Sequence, residues 1–149
     1  MSQKQARKDT IQTKVMVFGT FDGVHKGHEN FFKQARILTK NPYLIVSIAR
    51  DKNVKKIKGK LPDKNEKERM SLIGKCKLVD KVILGGVDKY LPHIVKEKPD
   101  IIALGYDQVE YVKNLKKDLQ NLNLKIKIVR LKPHKEHIYK NHLLKNRIQ

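Results

Sequence analysis

The sequence has little of several residue types, and each scarcity excludes a class of protein. A single cysteine, Cys76, rules out an internal disulfide and a zinc site built from several cysteines. Aromatic residues make up 6% of the 149 residues and tryptophan is absent, and no aromatic motif of the kind on which RNA bases stack is found. No apolar run approaches the ~20 residues that cross a bilayer, and the first residues contain no hydrophobic signal core. We therefore expect a cytoplasmic protein without a membrane span.

Acidic residues are also scarce relative to basic ones. The chain has 15 Asp and Glu against 34 Lys and Arg, which gives a formal net charge of +19. A charge of this size attracts polyanions, which include nucleic acids, anionic membranes and phosphorylated metabolites. A lysine-rich surface that serves only solubility would have the same composition. The charge therefore does not identify a partner, and the lack of RNA-binding aromatics makes nucleic acid unfavoured as one.

Apolar runs rich in β-forming residues alternate with helical patterns along the chain. Five runs predict strands, at residues 15–18, 43–49, 81–84, 101–104 and 125–131. Helical spacing predicts helices at residues 29–39, 65–76, 91–96 and around 112–122, with a basic loop before the second of them. This alternation predicts an α/β fold in which a doubly wound sheet of about five parallel strands carries helices on both faces. We expect one domain over residues 1–149, with 1–13 flexible and 132–149 forming a basic C-terminal element.

The sequence GTFDGVHKGH at residues 19–28 connects the first predicted strand to a helix. Its glycines let a ligand approach the backbone closely. The helix begins near Gly27 and His28, and the free N–H groups at its start attract anions. His25 and His28 add imidazole N–H donors, which suits this segment to a triphosphate. The alternative is a pair of metal ligands, but no third ligand is nearby and HxxH alone is a weak zinc signal.

These ten residues resemble the GTFD and HxGH signature of the cytidylyltransferase-like nucleotidyltransferases, a superfamily of Rossmann-like α/β proteins. The resemblance extends from about residue 14 to residue 130. Within it, IALGYDQ at residues 102–108 resembles the LGYDQ block of archaeal-type FAD synthases. The resemblance implies a nucleotidyltransferase that moves a nucleoside monophosphate from a nucleoside triphosphate to a phosphorylated acceptor, releases pyrophosphate and uses Mg²⁺ or another divalent cation. The LGYDQ block favours ATP and FMN as the substrates, with FAD as the product.

Two alternatives stay open at this point. One is a cytidylyltransferase that uses CTP and glycerol 3-phosphate or a similar alcohol phosphate. The other is a catalytically weak nucleotide- or nucleic-acid-binding protein, because the family's Ser/Thr-rich element after the last strand has no Ser or Thr in the corresponding residues 138–144. Family members often form homodimers, so the resemblance also implies a homodimer.

The resemblance assigns residues to the reaction. Since the attacking phosphate is already anionic, catalysis requires positioning and neutralisation of charge rather than a general base. The implied catalytic residues are His25, His28, Lys58 and Arg69. The implied nucleotide-binding residues are Gly19, Thr20, Phe21, Asp22, Gly27, Gly105, Tyr106, Asp107, Arg130 and Asn141. Asp22 is also the candidate ligand for Mg²⁺.

Several of these candidates have a purely structural alternative. Lys58 belongs to a lysine-rich run at residues 55–60, which a solvated loop would also show. Arg69 could form a surface ion pair with Glu66 or Asp63 instead of aiming its guanidinium at phosphate. Asp107 could shape its loop as an Asx turn.

Overall fold

The computed structural model describes residues 11–23, 26–86, 91–105 and 109–132. These residues form five strands and five helices, with two consecutive helices between the second and third strands. The strands are β1 (Thr13–Gly19), β2 (Pro42–Ile48), β3 (Lys81–Leu84), β4 (Ile101–Leu104) and β5 (Lys127–Arg130). The helices are α1 (Lys26–Arg36), α2 (Asp51–Lys58), α3 (Glu66–Gly74), α4 (Leu91–Glu97) and α5 (Val109–Asn121).

The five strands form one parallel sheet in the order β3-β2-β1-β4-β5. The chain moves outward from β1 through β2 to β3, and then returns to the other side of β1 for β4 and β5. This arrangement confirms the predicted doubly wound α/β fold. The strand order reverses between β1 and β4, and sheets of this kind bind ligands in a crevice outside the carboxyl ends of the strands at such a point.

Both faces of the sheet are covered, and the side chains of β1 alternate between them. Val15 and Val17 belong to a buried cluster with residues of α1 and α3. Met16 and Phe18 belong to a second cluster, which includes residues of α4 and α5. Strands buried on both faces are expected to be apolar throughout, and the run of β-forming residues in β1 has this character.

The largest difference from the sequence-based prediction concerns residues 51–58, where we expected a loop and the structure has helix α2. Its apolar content is low, because only Val54 is buried among lysines that are exposed. The helix is instead stabilised at its ends. Asp51 lies in the first turn and lysines in the last, which suits the helix dipole, and Gly59 adopts the left-handed conformation that ends many helices (φ 81°). A pattern of apolar residues alone therefore missed this helix.

The predicted strands at residues 81–84 and 101–104 coincide with β3 and β4. The last strand, predicted at residues 125–131, is limited to Lys127–Arg130. Its partner β4 explains the difference, because Lys127 pairs with Ile101, the first residue of β4, and leaves residues 125 and 126 without a partner strand.

The chain termini lie largely outside the described residues. Thr13, which was included in the predicted flexible segment, is the first residue of β1, and its N–H donates to the carbonyl of Asn41 at 2.8 Å. Lys132 begins the predicted C-terminal element, and its backbone N–H donates at 2.9 Å to the side-chain oxygen of Gln34 on α1. The side-chain amide of Gln34 donates in return to the carbonyl of Lys132. Within the described ranges, none of the helices has the length and apolar composition needed to cross a membrane.

Candidate active site

The candidate site lies at the carboxyl ends of β1 and β4, where the sequence places GTFDGVHKGH and LGYDQ. Gly19 ends β1, and Gly105 directly follows β4. Arg130 ends β5 at the same edge, in register with Leu104 of β4. Since adjacent strands are about 4.8 Å apart, Arg130 lies roughly 10 Å from the line of β1.

Residues 19–23, named here the β1 loop, adopt a conformation that few sequences permit. A Cβ atom added at Gly19 would lie 2.7 Å from two ring carbons of Phe21, so any other residue at position 19 would displace this ring or the loop. Phe21 itself has φ 52° and Gly23 has φ 110°. A positive φ in an aromatic residue is strained and persists only where the surroundings hold it. The glycines of the loop therefore serve its shape, and their part in binding a ligand stays a prediction.

Phe21 connects the β1 loop to the helix that carries His28. Its side chain is 6% exposed and packs on Phe32 of α1 at a ring-centroid distance of 5.4 Å. The half-buried ring of His28, in the first turn of α1, lies edge-on to Phe21 at 5.2 Å with an interplanar angle of 76°. The structure thus brings together the loop and His28, as the sequence predicts. The Phe21 ring belongs to the core, which leaves its backbone for the predicted nucleotide contact.

The Asp22 carboxylate binds two consecutive backbone N–H groups. One oxygen accepts from Asp63 at 2.7 Å and the other from Lys64 at 2.8 Å. The side chain is exposed, yet these donors favour its charged form, and the N–H of Lys64 is the largest cause of a lowered pKa. Asp22 therefore joins the β1 loop to the segment between α2 and α3.

Arg69 is fully buried and donates to three separate segments. Its Nε donates to the carbonyl of Lys64 at 3.0 Å, one terminal nitrogen to the carbonyl of Thr20 at 2.8 Å, and the other to Asp51 at 2.6 Å. The expected alternative, a surface ion pair with Glu66 or Asp63, is wrong, because the ion pair is formed with Asp51 and the guanidinium has no exposed surface.

The starts of α2 and α3 are joined by a reciprocal pair of contacts. The N–H of Asp51 donates to a carboxylate oxygen of Glu66 at 3.0 Å, and the N–H of Glu66 donates to Asp51 at 3.1 Å. Each carboxylate thus satisfies a free N–H group at the start of the other helix. Arg50 extends this junction to the end of β3 by donating to the carbonyl of Gly85 at 2.7 Å. The junction therefore holds the starts of α2 and α3 together beside the end of β3.

The lysines predicted to lie in a basic loop are carried by α2 and the residues after it. Lys55, Lys56 and Lys58 are exposed on the last turn of the helix, and Lys60 follows Gly59. Cations on the last turn interact favourably with the helix dipole, so a structural reason for these residues exists beside a functional one. Lys58 is the last residue of α2, and its contact with phosphate stays a prediction.

The described residues contain no cluster of three or more His, Cys, Asp or Glu side chains that could hold a metal ion. Asp22, the predicted ligand, has each oxygen in a hydrogen bond with a backbone N–H group. This donor set does not fit a cation held by the protein alone. Mg²⁺ commonly keeps water and substrate phosphates as most of its ligands, and a site of that type requires no protein cage.

The comparisons with known proteins agree with the geometry. A sequence model of the cytidylyltransferase-like family matches residues 16–146. The chain belongs to the cytidylyltransferase-like family. An FAD synthase of Methanothermus fervidus is 43% identical over 122 residues, which cover 81% of this chain and 83% of that protein. An FAD synthase of Thermoplasma acidophilum is 33% identical over 135 residues, which cover 91% of this chain and 93% of that protein.

A solved structure has a similar fold. A lipopolysaccharide core biosynthesis protein of Thermoplasma volcanium has a TM-score of 0.75 and 36% sequence identity, with 82% of this chain and 98% of that chain covered. The resemblance inferred from residues 19–28 and 102–108 is therefore confirmed at the level of the family.

Some of the predicted site residues of this cytidylyltransferase-like protein lie outside the described residues. They are His25, Tyr106, Asp107 and Asn141. The β1 loop and α1 bring together Gly19, Thr20, Phe21, Asp22, Gly27 and His28, whereas Gly105 and Arg130 share their edge of the sheet. The roles of all these residues in binding and catalysis stay predictions.

The sequence-based prediction assigned no role to two contributors to the site, Asp51 and the backbone of Lys64. Asp51 lies two residues after the end of the second predicted strand and is the first residue of α2, where an acidic side chain suits the helix dipole. Lys64 contributes its backbone N–H and its carbonyl. A sequence does not indicate which backbone groups will form contacts in a site. Asn65 caps α3 by accepting from the N–H of Glu68 at 2.8 Å. An asparagine at this position was the one feature of the sequence that could have indicated a tight turn before α3.

Proposed function

We propose that this chain is an FAD synthase, which transfers the adenylyl group of ATP to FMN and releases pyrophosphate. The observation that carries the proposal is the position of GTFDGVHKGH, which leaves the central strand at the point where the strand order reverses and leads into α1. That point is where a doubly wound sheet binds nucleotides. The named relatives over most of the chain support ATP and FMN as the substrates.

The reaction forms one bond and breaks one bond at the α-phosphorus of ATP. A phosphate oxygen of FMN attacks that phosphorus, and the bond from it to the oxygen bridging to the β-phosphate breaks. A phosphate monoester has a second pKa near 6, so the attacking oxygen is anionic at neutral pH and needs no base. Charge develops on the α-phosphate and on the departing pyrophosphate, and the enzyme lowers the barrier by stabilising that charge.

His28 and the first turn of α1 are the groups best placed to stabilise this charge. Backbone N–H groups at the start of a helix bind phosphate oxygens, and the helix dipole favours negative charge there. The imidazole of His28 adds a donor from a ring that packs edge-on against Phe21. We assign the α-phosphate to this region and the leaving pyrophosphate to Lys58 and the neighbouring lysines of α2.

A divalent cation would neutralise charge on the triphosphate when bound. The described residues offer no cage for it, so we expect ATP and pyrophosphate to supply most of its ligands. We place Gly105 at the adenosine, because it follows β4, and we expect Tyr106 and Asp107, the next residues of the sequence, to contribute to the same contact. Arg130 and Asn141 complete the proposed nucleotide contacts. A homodimer, a cytoplasmic location and the absence of nucleic acid among the partners stay predictions.

The proposal is tested by pyrophosphate release in a panel that crosses ATP and CTP with FMN and glycerol 3-phosphate, with Mg²⁺ present and product masses recorded. We expect release with ATP and FMN together, with a product of the mass of FAD. Product formed from CTP and glycerol 3-phosphate would instead assign a cytidylyltransferase. If every pair yields no product, the proposed activity is refuted, and nucleotide binding measured by calorimetry then tests the binding-protein alternative.

A further inference from the structure

Three consecutive residues of the β1 loop are each held by a different contact. The carbonyl of Thr20 accepts from Arg69, the ring of Phe21 is buried in the core, and the carboxylate of Asp22 accepts two backbone N–H groups. The partners of Thr20 and Asp22 belong to α3 and to the turn before it. The segment formed by α3 and the turn before it therefore holds the loop through Thr20 and Asp22, and the core holds it through Phe21.

We propose that Asp22 and Arg69 are positioning residues that fix the β1 loop and, through Phe21, the orientation of His28. This proposal rests on the proposed function for the meaning of His28. It replaces two hypotheses drawn from the sequence, in which Asp22 binds Mg²⁺ and Arg69 binds phosphate. The roles differ in what the side chains touch, because a positioning residue acts on the reaction only through the groups that it holds.

The contacts of Asp22 favour positioning. Its two oxygens accept from the N–H groups of Asp63 and Lys64 at 2.7 and 2.8 Å, lengths typical of charge-assisted hydrogen bonds. Two adjacent N–H groups on one carboxylate fix its direction as well as its distance. Among the described residues no further carboxylate or imidazole completes a metal cluster with Asp22.

The contacts of Arg69 favour positioning even more clearly. Its side chain is 0% exposed, so a phosphate in the crevice cannot reach the guanidinium unless the surrounding segments move. Its nitrogens donate to Thr20, Lys64 and Asp51, and these belong to the β1 loop, the turn before α3 and the start of α2. One buried cation thereby joins the loop that leads to His28 to the helix that carries the lysines.

The strain in Phe21 makes the loop sensitive to these contacts. With φ 52°, Phe21 occupies a strained conformation that persists only when its neighbours hold it. If the hydrogen bonds of Asp22 or Arg69 are lost, the loop is no longer held to α3 and the turn before it, and Phe21 can relax toward a negative φ. Its ring then moves relative to the imidazole of His28, which lies 5.2 Å away in the present structure.

The first test observes His28 directly in the full-length protein without substrates. Imidazole NMR signals are recorded for Asp22→Ala and Arg69→Met, and the signal of His28 is assigned from its loss in His28→Gln. We expect the His28 signal to shift in both variants. Asp100→Ala is the matched control, because Asp100 also accepts a backbone N–H, that of Lys14 at 2.8 Å, but at the amino ends of the strands. Its His28 signal should not move.

The second test measures turnover as a function of Mg²⁺. A displacement of reacting groups by about 1 Å can cost roughly 100-fold, so we expect kcat of Asp22→Ala to fall by about that factor with little change in KM for ATP. The Mg²⁺ concentration for half-maximal rate should stay as in the wild type. Asp22→Asn should recover part of the loss, because its amide oxygen still accepts one N–H group. For a metal ligand, both variants would require a higher Mg²⁺ concentration for half-maximal rate, and that result would overturn the proposal.

The two tests separate this proposal from the proposed function. If the wild-type protein releases no pyrophosphate, the proposed function fails, and the NMR result still decides whether Asp22 and Arg69 position His28. An unmoved His28 signal in folded Asp22→Ala overturns the positioning role whatever the activity. Asp22 is exposed, so its variant keeps the test decisive even where Arg69→Met does not fold.

Discussion

At the amino ends of the strands, Asp80 accepts the N–H of Leu44 and Asp100 accepts the N–H of Lys14, each at 2.8 Å. At the carboxyl ends, Asp22 makes the same kind of contact with Asp63 and Lys64. The first two carboxylates join the start of one strand to its neighbour in the sheet. Asp22 instead joins two irregular segments beside the crevice. The same hydrogen bond therefore serves the sheet at one edge and the shape of the candidate site at the other.

The largest effect on turnover is expected from His28→Ala, at the carboxyl ends. Loss of a donor to developing negative charge should lower kcat by about 100- to 1,000-fold. Pyrophosphate release measures the rate, and thermal unfolding verifies the fold. His93→Ala is the matched control, since His93 also lies edge-on to a phenylalanine, Phe18 at 6.0 Å, and hydrogen-bonds Ser47 at 3.0 Å. The His93 variant should lose stability but retain most of its turnover. Equal rates for the His28 variant and the wild type would show that His28 takes no part in the mechanism.

Gly19→Ala should impair both the fold and the site. Its Cβ would lie 2.7 Å from the Phe21 ring, so the ring or the loop must shift. Overpacking of this kind costs about 1–3 kcal/mol, and the displaced loop should also lower turnover. Gly74→Ala is the control, because the nearest atom to its added Cβ is 4.0 Å away. Urea unfolding and pyrophosphate release are measured for both; similar behaviour of the two variants would contradict the close approach.

Asp80→Ala should lower the stability of the fold and leave turnover unchanged, in contrast to His28→Ala, which should lower turnover. Asp80 accepts from Leu44 and also forms an ion pair with Arg36 at 2.8 Å, so its loss leaves a backbone N–H of β2 without its acceptor. We expect the free energy of unfolding to fall by about 1–3 kcal/mol. The kcat of the remaining folded protein should be unchanged. A large loss of kcat would show that the two edges do not differ in the way proposed.

The smallest effect is expected for the contribution of Asp22 to the free energy of unfolding, which should depend on pH. Its folded pKa is lowered, chiefly by the N–H of Lys64, so its stabilising contribution is present above the unfolded pKa of about 4. The contribution is lost as the pH falls through the folded pKa. Urea unfolding of wild type and Asp22→Asn between pH 6 and pH 2 should show a difference that shrinks in the acid range. A difference that grows on acidification would mean that the carboxylate is not stabilised in its charged form.

Much of the fold could be predicted from the sequence because apolar runs report burial directly. The strands at residues 81–84 and 101–104 were located to the residue, and the parallel sheet followed from alternation with helices. Helix α2 was missed because its stability comes from its ends, at Asp51 and Gly59, and not from an apolar face. β5 was overextended because the length of a strand depends on its partner, which a local pattern does not contain.

The candidate site was predictable in its location but not in its internal contacts. The motif at residues 19–28 identified the loop and His28 correctly as neighbours at the end of β1. The environment of Arg69 was not predictable, because it depends on the carbonyls of Thr20 and Lys64, which any residue type supplies. A charged residue close to a binding motif is easily interpreted as a ligand-binding residue. Only the folded structure shows whether its hydrogen-bond donors are already bound to other groups of the protein.

The contacts of the β1 loop also determine when the site can form during folding. Asp22 is bound by residues 41 and 42 positions later in the chain, and Thr20 by a residue 49 positions later. Local pairing cannot therefore give the loop its final shape, since contacts of such separation require long segments to be closed first. Competence to bind a nucleotide should accordingly appear late in refolding, after the first half of the sheet has assembled and α3 has docked on it.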